Sequence, residues 1–260
     1  MTHAMPLLLL FGVFIGLTTV FFGFGGGFVV VPVIYGLTAD KADAMHIAVA
    51  TSTAVMVVNA SIATFTSRTS GLIKKAYLWP LAAFVAVGAA IGAPAATRVP
   101  DSVVHALVIA YLGVTIIVSV ARKGFLERVG EPRPLGRAVS TLGGVAIGAV
   151  AAFLGVGGSV MTVPLLRRRQ LPMAAATAMA NPLSIPIAVV GTAMYALPTR
   201  GASVPSALGY IDLMAGGILL GASLPTIAIA RRLVGGVSDR VHTVAYLVLL
   251  ILALGGLLIF

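Results

Sequence analysis

The chain contains no cysteine. Thiolate catalysis, cysteine-ligated metals and disulfides are therefore excluded. Charge is scarce: Asp, Glu, Lys and Arg make up 9% of 260 residues, against about 25% in an ordinary soluble domain. Acidic residues are scarcest, with seven against seventeen Lys plus Arg, for a formal charge of +10. Catalytic signatures are missing as well. There is no HExxH, no GxSxG and no pair of carboxylates deep in an apolar run. These absences argue against an enzyme and call for no metal or organic cofactor. What is abundant is apolar: 59% of the residues are hydrophobic and 30 are glycine. Such a composition excludes a soluble domain, a disordered chain and a disulfide scaffold, and reads as an all-α integral membrane protein. A nucleic-acid binder would gather its positive charge on one folded face. Here the cations sit in short gaps between apolar runs, where they orient a multi-pass chain. The expected surroundings are the lipid bilayer, with no nucleic acid.

Six apolar stretches, 44–67, 76–97, 103–121, 173–197, 207–230 and 241–260, are each long enough to cross a ~30 Å hydrocarbon core with ~20 residues. Two others, 5–36 and 139–166, are interrupted by glycine: GFGGG at 23–27, and GVGG at 155–158 followed by Ser159. Each is then punctuated by a proline, Pro32 or Pro164. The first stretch lacks the basic start of a secretory signal and recurs inside the chain, so it reads as structure.

The recurrence is regular. Residues 12–33, GVFIGLTTVFFGFGGGFVVVPV, match 144–165, GVAIGAVAAFLGVGGSVMTVPL, at a constant offset of 132. Gly12, Gly16, Gly23, Gly25, Gly26 and Pro32 meet Gly144, Gly148, Gly155, Gly157, Gly158 and Pro164. Gly88 and Gly92 meet Gly217 and Gly221 at offset 129. A duplicated transporter-like architecture follows, with a membrane repeat at 1–121, a cytoplasmic linker at 122–138 and a second membrane repeat at 139–260. With eight plain spans, the cations divide 8 against 9 between the two sides and orient nothing. If each glycine-broken stretch is a hairpin that enters and leaves on one side, each repeat has three further crossings and the second repeat is inverted. Fourteen of the seventeen cations, from Arg68 to Arg240, then share one side, and only Lys41, Arg98 and Arg200 occupy the other. The rich side is expected to be cytoplasmic, with both termini outside. Two fully crossing hairpin arms would give the same parity.

Backbone polar groups do not stay unsatisfied in lipid, so a glycine break at membrane depth must be buried in protein or line a polar cavity. Short helices are expected after the breaks, over 27–36 and 159–166. Their amino ends carry free N–H groups and partial positive charge, which suits an anion. Two inverted hairpins would bring two such ends together near the midplane. The alternative is that glycines only allow close helix packing, which fits Gly12/Gly16 and Gly88/Gly92. The consecutive run Gly25, Gly26, Gly27 and its counterpart Gly157, Gly158, Ser159 are taken as ligand-facing. Nearby spans offer short hydroxyls and amides that can hold an oxyanion without fixed charge: Thr51, Ser52 and Asn59 in one, Asn181 and Ser184 in the other. His46 and Asp212, at the mouths of spans, are candidates for proton coupling. Tyr77 and Trp79 read as an interfacial belt.

GFGGGFVVVP, then AVATST, then GVGGSVMTVP after a basic central loop resembles the TauE/SafE family of bacterial sulfite and sulfonate exporters. The resemblance covers essentially the whole chain. It implies a multi-pass protein of the bacterial inner membrane that moves small sulfur-containing anions such as sulfite, thiosulfate or sulfoacetate. It implies Gly25–Gly27 with Thr51–Ser52, and Gly157–Ser159 with Asn181, as pocket residues. The expectation is a secondary transporter, in the export direction that the resemblance implies. Proton-coupled uptake and a passive anion channel are the alternatives. The expected partner is a small anionic substrate, and a second copy of the chain is admitted as another.

Overall fold

A computed structural model describes residues 4–121, 131–197, 207–232 and 238–259. Part of the expected linker, 122–130, lies outside the described residues, as do Arg122, Lys123, Arg128, Arg200 and the extreme termini. The protein is nearly all helical. In chain order the helices are α1 (Ala4–Phe22), α2 (Gly27–Thr38), α3 (Ala44–Ser67), α4 (Lys75–Leu78), α5 (Leu81–Ala96) and α6 (Asp101–Ala121). A π-helical turn (Val139–Gly143) then leads into α7 (Gly144–Leu154), α8 (Ser159–Arg168), α9 (Met173–Ala196), α10 (Leu213–Ala230) and α11 (Asp239–Ile259). Among the described residues, seven helical segments are long and apolar enough to cross a membrane. In lipid, a helix meets all its own backbone hydrogen bonds, which is why apolar runs of this length fold this way.

Two boundaries differ from the sequence reading. The stretch 207–230 is not one span. Ala207–Leu208 and Ile211–Asp212 pair as a two-stranded hairpin, turned at Gly209 (φ +60°), and α10 starts only at Leu213. Asp212 terminates the hairpin and caps the helix, its Oδ1 accepting from Met214 and Ala215 N–H at 3.0 Å each. Tyr77, expected in an interfacial belt, is instead buried, and its hydroxyl donates to the Arg133 carbonyl at 3.0 Å. Trp79 is 71% exposed.

Packing repeats across the two halves of the chain. The most extensive helix contacts are α5 on α7 and α1 on α10, the same pair with the halves exchanged. Likewise α5 meets α9 as α10 meets α3, and α2 meets α3 as α8 meets α9. Without a hydrophobic drive between helices in lipid, small residues must supply the contact. A Cβ on Gly88 would stand 2.0 Å from the Val145 carbonyl oxygen, and one on Gly148 would stand 1.9 Å from that of Val85. Gly217 and Gly221, however, have nothing within 4 Å. The α10 face that meets Gly12 and Gly16 of α1 is Leu219, Ala222, Ser223 and Thr226. Since Gly144 and Gly148 meet Leu81, Phe84 and Val85, the structural offset between α5 and α10 is 138, not 129. The hairpin before α10 lies where this shift accumulates.

The same offset relates the first residues of α6 and α11. Asp101 Oδ2 accepts from Met45 N–H at 3.0 Å, and Asp239 Oδ1 accepts from Met173 N–H at 2.6 Å. Each aspartate thus holds the amino end of the long helix of its own half. Each also takes a basic partner: His46 Nδ1 lies 2.9 Å from Asp101 Oδ1, and the buried Arg167 donates to Asp239 Oδ2 at 2.5 Å.

Candidate functional site

The glycine runs break their helices where expected. Gly23, Gly25 and Gly26 have φ of +71°, +60° and +90°, and Gly155 and Gly157 have +64° and +75°. Side chains are strained at such φ, which is why glycine occupies the breaks. Gly158 departs from its counterpart Gly26, lying in the right-handed region at φ −69°. The helices after the breaks have 12 and 10 residues, about 18 and 15 Å at ~1.5 Å per residue. Their first turns are built alike. The Gly26 carbonyl accepts from Val29 and Val30 N–H, as the Gly158 carbonyl accepts from Met161 and Thr162 N–H.

One side chain joins the two breaks. The Ser52 hydroxyl oxygen lies 2.8 Å from the Gly27 carbonyl oxygen and 2.6 Å from that of Gly155, its one proton shared between them. Ser52 is the ninth residue of the 24-residue α3, so the junction lies in the first half of that helix, one turn short of its middle. A Cβ on Gly27 would stand 3.1 Å from the Gly155 oxygen, and one on Gly157 would stand 3.4 Å from the Phe24 oxygen. Met56, one turn beyond Ser52, fills the space between. Its side chain would meet a Cβ on Gly25 at 2.7 Å, on Gly27 at 3.2 Å and on Gly157 at 2.7 Å.

Around this junction stand buried polar groups. Asn59 is fully buried, and its Oδ1 accepts from the Ser223 hydroxyl at 2.9 Å. Its Nδ2, which has no hydrogen-bond partner, would lie 3.0 Å from a Cβ on Gly26. On the other side, the Asn181 Nδ2 donates to the Thr19 carbonyl at 3.2 Å, leaving its Oδ1 unpartnered. The hydroxyls of Ser159 and Ser184 are both buried and both unpartnered. Each lies within 3.8 Å of a Cβ position in the Gly157–Gly158 break. Thr162, in the first turn of α8, adds a third unpartnered hydroxyl. The sequence reading passed over Thr162 and Met56. A threonine and a methionine inside apolar helices carry no mark until the two breaks are known to meet.

A buried polar group without a partner costs about 1–3 kcal/mol, and native structures hold few of them. Asn59, Ser159 and Ser184, each beside a break, and Thr162, in the first turn of α8, are all neutral donors. Cations are kept away: Arg167 and Arg168 stand at the opposite end of α8. The arrangement suits a small anion whose oxygens accept several hydrogen bonds.

The other candidates are engaged in structure. Thr51 accepts from Asp212 N–H at 2.9 Å, tying the hairpin to α3. His46 stands on the same helix, stacked on Tyr210 with centroids 5.3 Å apart. Its Nε2 donates to the Ala96 carbonyl at 3.0 Å. His46 thus lies near the amino end of α3, while Asp212 reaches that helix at Thr51, the neighbour of Ser52; both hold the hairpin and the adjoining helices.

A family model described as Sulfite exporter TauE/SafE matches residues 8–257. The chain belongs to the TauE/SafE family. That family is one of membrane transporters of small sulfur-containing anions, as the paired glycine–proline motifs implied. The match takes in both breaks, every residue placed around them and the connection between the halves. TauE/SafE membership and the seven long apolar helices make this a multi-pass membrane protein. No curated protein and no solved structure matches the chain.

Proposed function

We propose that this TauE/SafE protein is a secondary transporter of a small sulfur-containing oxyanion, sulfite, thiosulfate or an organosulfonate such as sulfoacetate. It holds the anion at the junction of the two helix breaks and exports it across the bacterial inner membrane. The observation that carries the reading is the meeting of the breaks at one hydroxyl, Ser52, beside four unpartnered buried donors. The oxyanion accepts from Asn59 Nδ2, the hydroxyls of Ser159, Thr162 and Ser184, and the opening N–H groups of α2 and α8 that do not donate to the Gly26 and Gly158 carbonyls. Two partial positive helix ends replace the fixed charge that a lysine or arginine would bring.

The repeats, 1–121 and 139–260 with a linker between, are inverted with respect to each other and rock about this site to alternate access. Support comes from the antiparallel placing of equivalent helices. Thr53, early in α3, lies against Gly191, late in α9, and His105, early in α6, binds the Leu257 carbonyl late in α11. Inverted repeats related by an axis in the membrane plane require this arrangement. The cation count then puts both termini on the periplasmic side.

The test is flux in proteoliposomes loaded separately with sulfite, thiosulfate, sulfoacetate or sulfate, with and without a pH gradient. Saturable flux of one sulfur oxyanion, lost in a still-folded Gly26→Leu, Gly158→Leu double variant, is the expected result. Acceleration of inward flux by an imposed proton gradient would replace export with proton-coupled uptake. Unsaturable flux would replace the transporter with a channel. No flux of any of these anions would overturn the reading.

A further inference from the structure

Two grooves on the outside of the helix bundle are one groove built twice. The first, ≈ 840 Å³, lies among α1, α2 and α11. The second, ≈ 420 Å³, lies among α6, the π-turn with α7, and α8. Many of their wall positions correspond. Leu249, Leu252 and Ala253 of α11 stand where α6 has Tyr111, Val114 and Thr115, at offset 138. Pro32 and Gly36 of α2 stand where α8 has Pro164 and Arg168, at offset 132. The first groove is lined by apolar residues and glycine throughout. The second has acquired Tyr111, Thr115, Ser119 and Arg168.

The new polar groups are ordered along the groove. Arg168 is the last residue of α8 and exposed, and Ser119 is two residues from the end of α6. Ser119 is 3% exposed, yet its hydroxyl has no hydrogen-bond partner, and neither has the Tyr111 hydroxyl two turns deeper. Between these ends the wall is apolar, with Val114, Val118, Met161 and Leu165, apart from Thr115, whose hydroxyl donates to the Tyr111 carbonyl at 2.8 Å. Ser119 and Tyr111 are eight residues apart, about 12 Å along the helix. The outer face of α6 beside the groove carries Ile117 and Val120, 67% and 54% exposed, as expected for a surface turned to lipid.

We infer that the groove among α6, α7 and α8 is a binding site for an anionic phospholipid, its phosphate at Arg168 and Ser119 and an acyl chain along Val114, Met161 and Leu165. A free anion would use only the polar end and leave the apolar length uncovered. A zwitterionic lipid would gain less from a guanidinium at the mouth. The larger apolar twin groove has no guanidinium at its mouth, so it gives no preference for headgroup charge. This inference is independent of what the central site transports.

The test is the association of spin-labelled phosphatidylglycerol and phosphatidylcholine with the full chain in phosphatidylcholine bilayers. One cation near the membrane surface favours an anionic lipid about fivefold, and a preference of that order is expected. Arg168→Gln should bring it below about twofold on the same scale, with unfolding in detergent measured alongside to show that the exposed substitution leaves the fold intact. Arg232→Gln, which removes an equal charge at the end of α10, should leave it unchanged. Ser119→Leu with Thr115→Ala, the changes that approach the twin groove, should weaken phosphatidylglycerol retention alone. Equal retention of the two lipids would overturn the inference. So would an equal effect of Arg232→Gln, which would mean diffuse charge, or displacement of phosphatidylglycerol by millimolar inorganic phosphate, which would mean a free-anion site.

Discussion

Replacing Ser52 with alanine removes one hydroxyl from the point where the two helix breaks touch. The carbonyls it serves differ in their alternatives. Gly27 opens α2, so its oxygen is also in register to accept from the fourth residue onward in that helix. Gly155 ends α7 at φ +64°, and its oxygen, 2.6 Å from the serine, points out of the helical ladder. The loss therefore falls mainly on Gly155. Interhelical hydrogen bonds in membranes average about 0.6 kcal/mol with a maximum near 1.7, whereas a buried group left unpaired costs about 1–3 kcal/mol. Ser52 is fully buried, so the second effect dominates, and Ser52→Ala should cost about 1–2 kcal/mol. Reversible unfolding of the reconstituted protein by steric trapping measures this directly. Flux should fall by more than about tenfold, because a misplacement of about 1 Å at a site of aligned donors is enough for that. Stability within about 0.3 kcal/mol of wild type, together with undiminished flux, would refute the argument that this hydroxyl couples the breaks.

Gly148→Val should abolish folding, since a Cβ there stands 1.9 Å from the Val85 backbone oxygen. Gly113→Ala, at a position with nothing within 4 Å, should raise stability by up to about 1 kcal/mol. Yield and thermal unfolding in detergent distinguish the two. Asp212→Ala should lose about 1 kcal/mol with its helix cap. Asp212→Asn keeps the cap and removes the carboxylate, so its stability and the pH profile of its flux should match wild type. A collapsed pH profile in the asparagine variant would make Asp212 a proton carrier.

The breaks were legible because nothing but glycine tolerates several positive φ values in succession, and the runs at 25–27 and 155–158 stand out in apolar surroundings. The duplication was legible for the same reason. Register beyond the first three helices was not. The pairing of Gly88 and Gly92 with Gly217 and Gly221 is a match of letters, because the hairpin at 207–212 shifts the second half by nine residues. That hairpin was hidden inside a run apolar enough to pass for a span, and only Tyr210 N–H bound to the Tyr195 carbonyl and Asp212 N–H bound to Thr51 reveal what it holds. Ser52 was marked as a donor to substrate. The structure adds a further task, bridging two carbonyls, which depends on a contact between residues 103 apart in sequence. Met56 and Thr162 went unmarked because each becomes a site residue only when both breaks converge.

A chain without cysteine makes one measurement especially direct. Ser159→Cys places a single thiol at the amino end of α8, within the proposed site, and its reaction with two methanethiosulfonates of similar size can be timed during turnover. One reagent carries a sulfonate and the other a quaternary ammonium. Two opposed helix ends and neutral donors favour the anion, so the sulfonate reagent should react at least about tenfold faster, in keeping with the field of a site built for one sign of charge. It should reach the thiol from either side of the membrane and be slowed by the transported oxyanion. Equal or faster labelling by the cation, or a thiol that neither reagent reaches from either side, would contradict an anion site at the meeting of the two breaks.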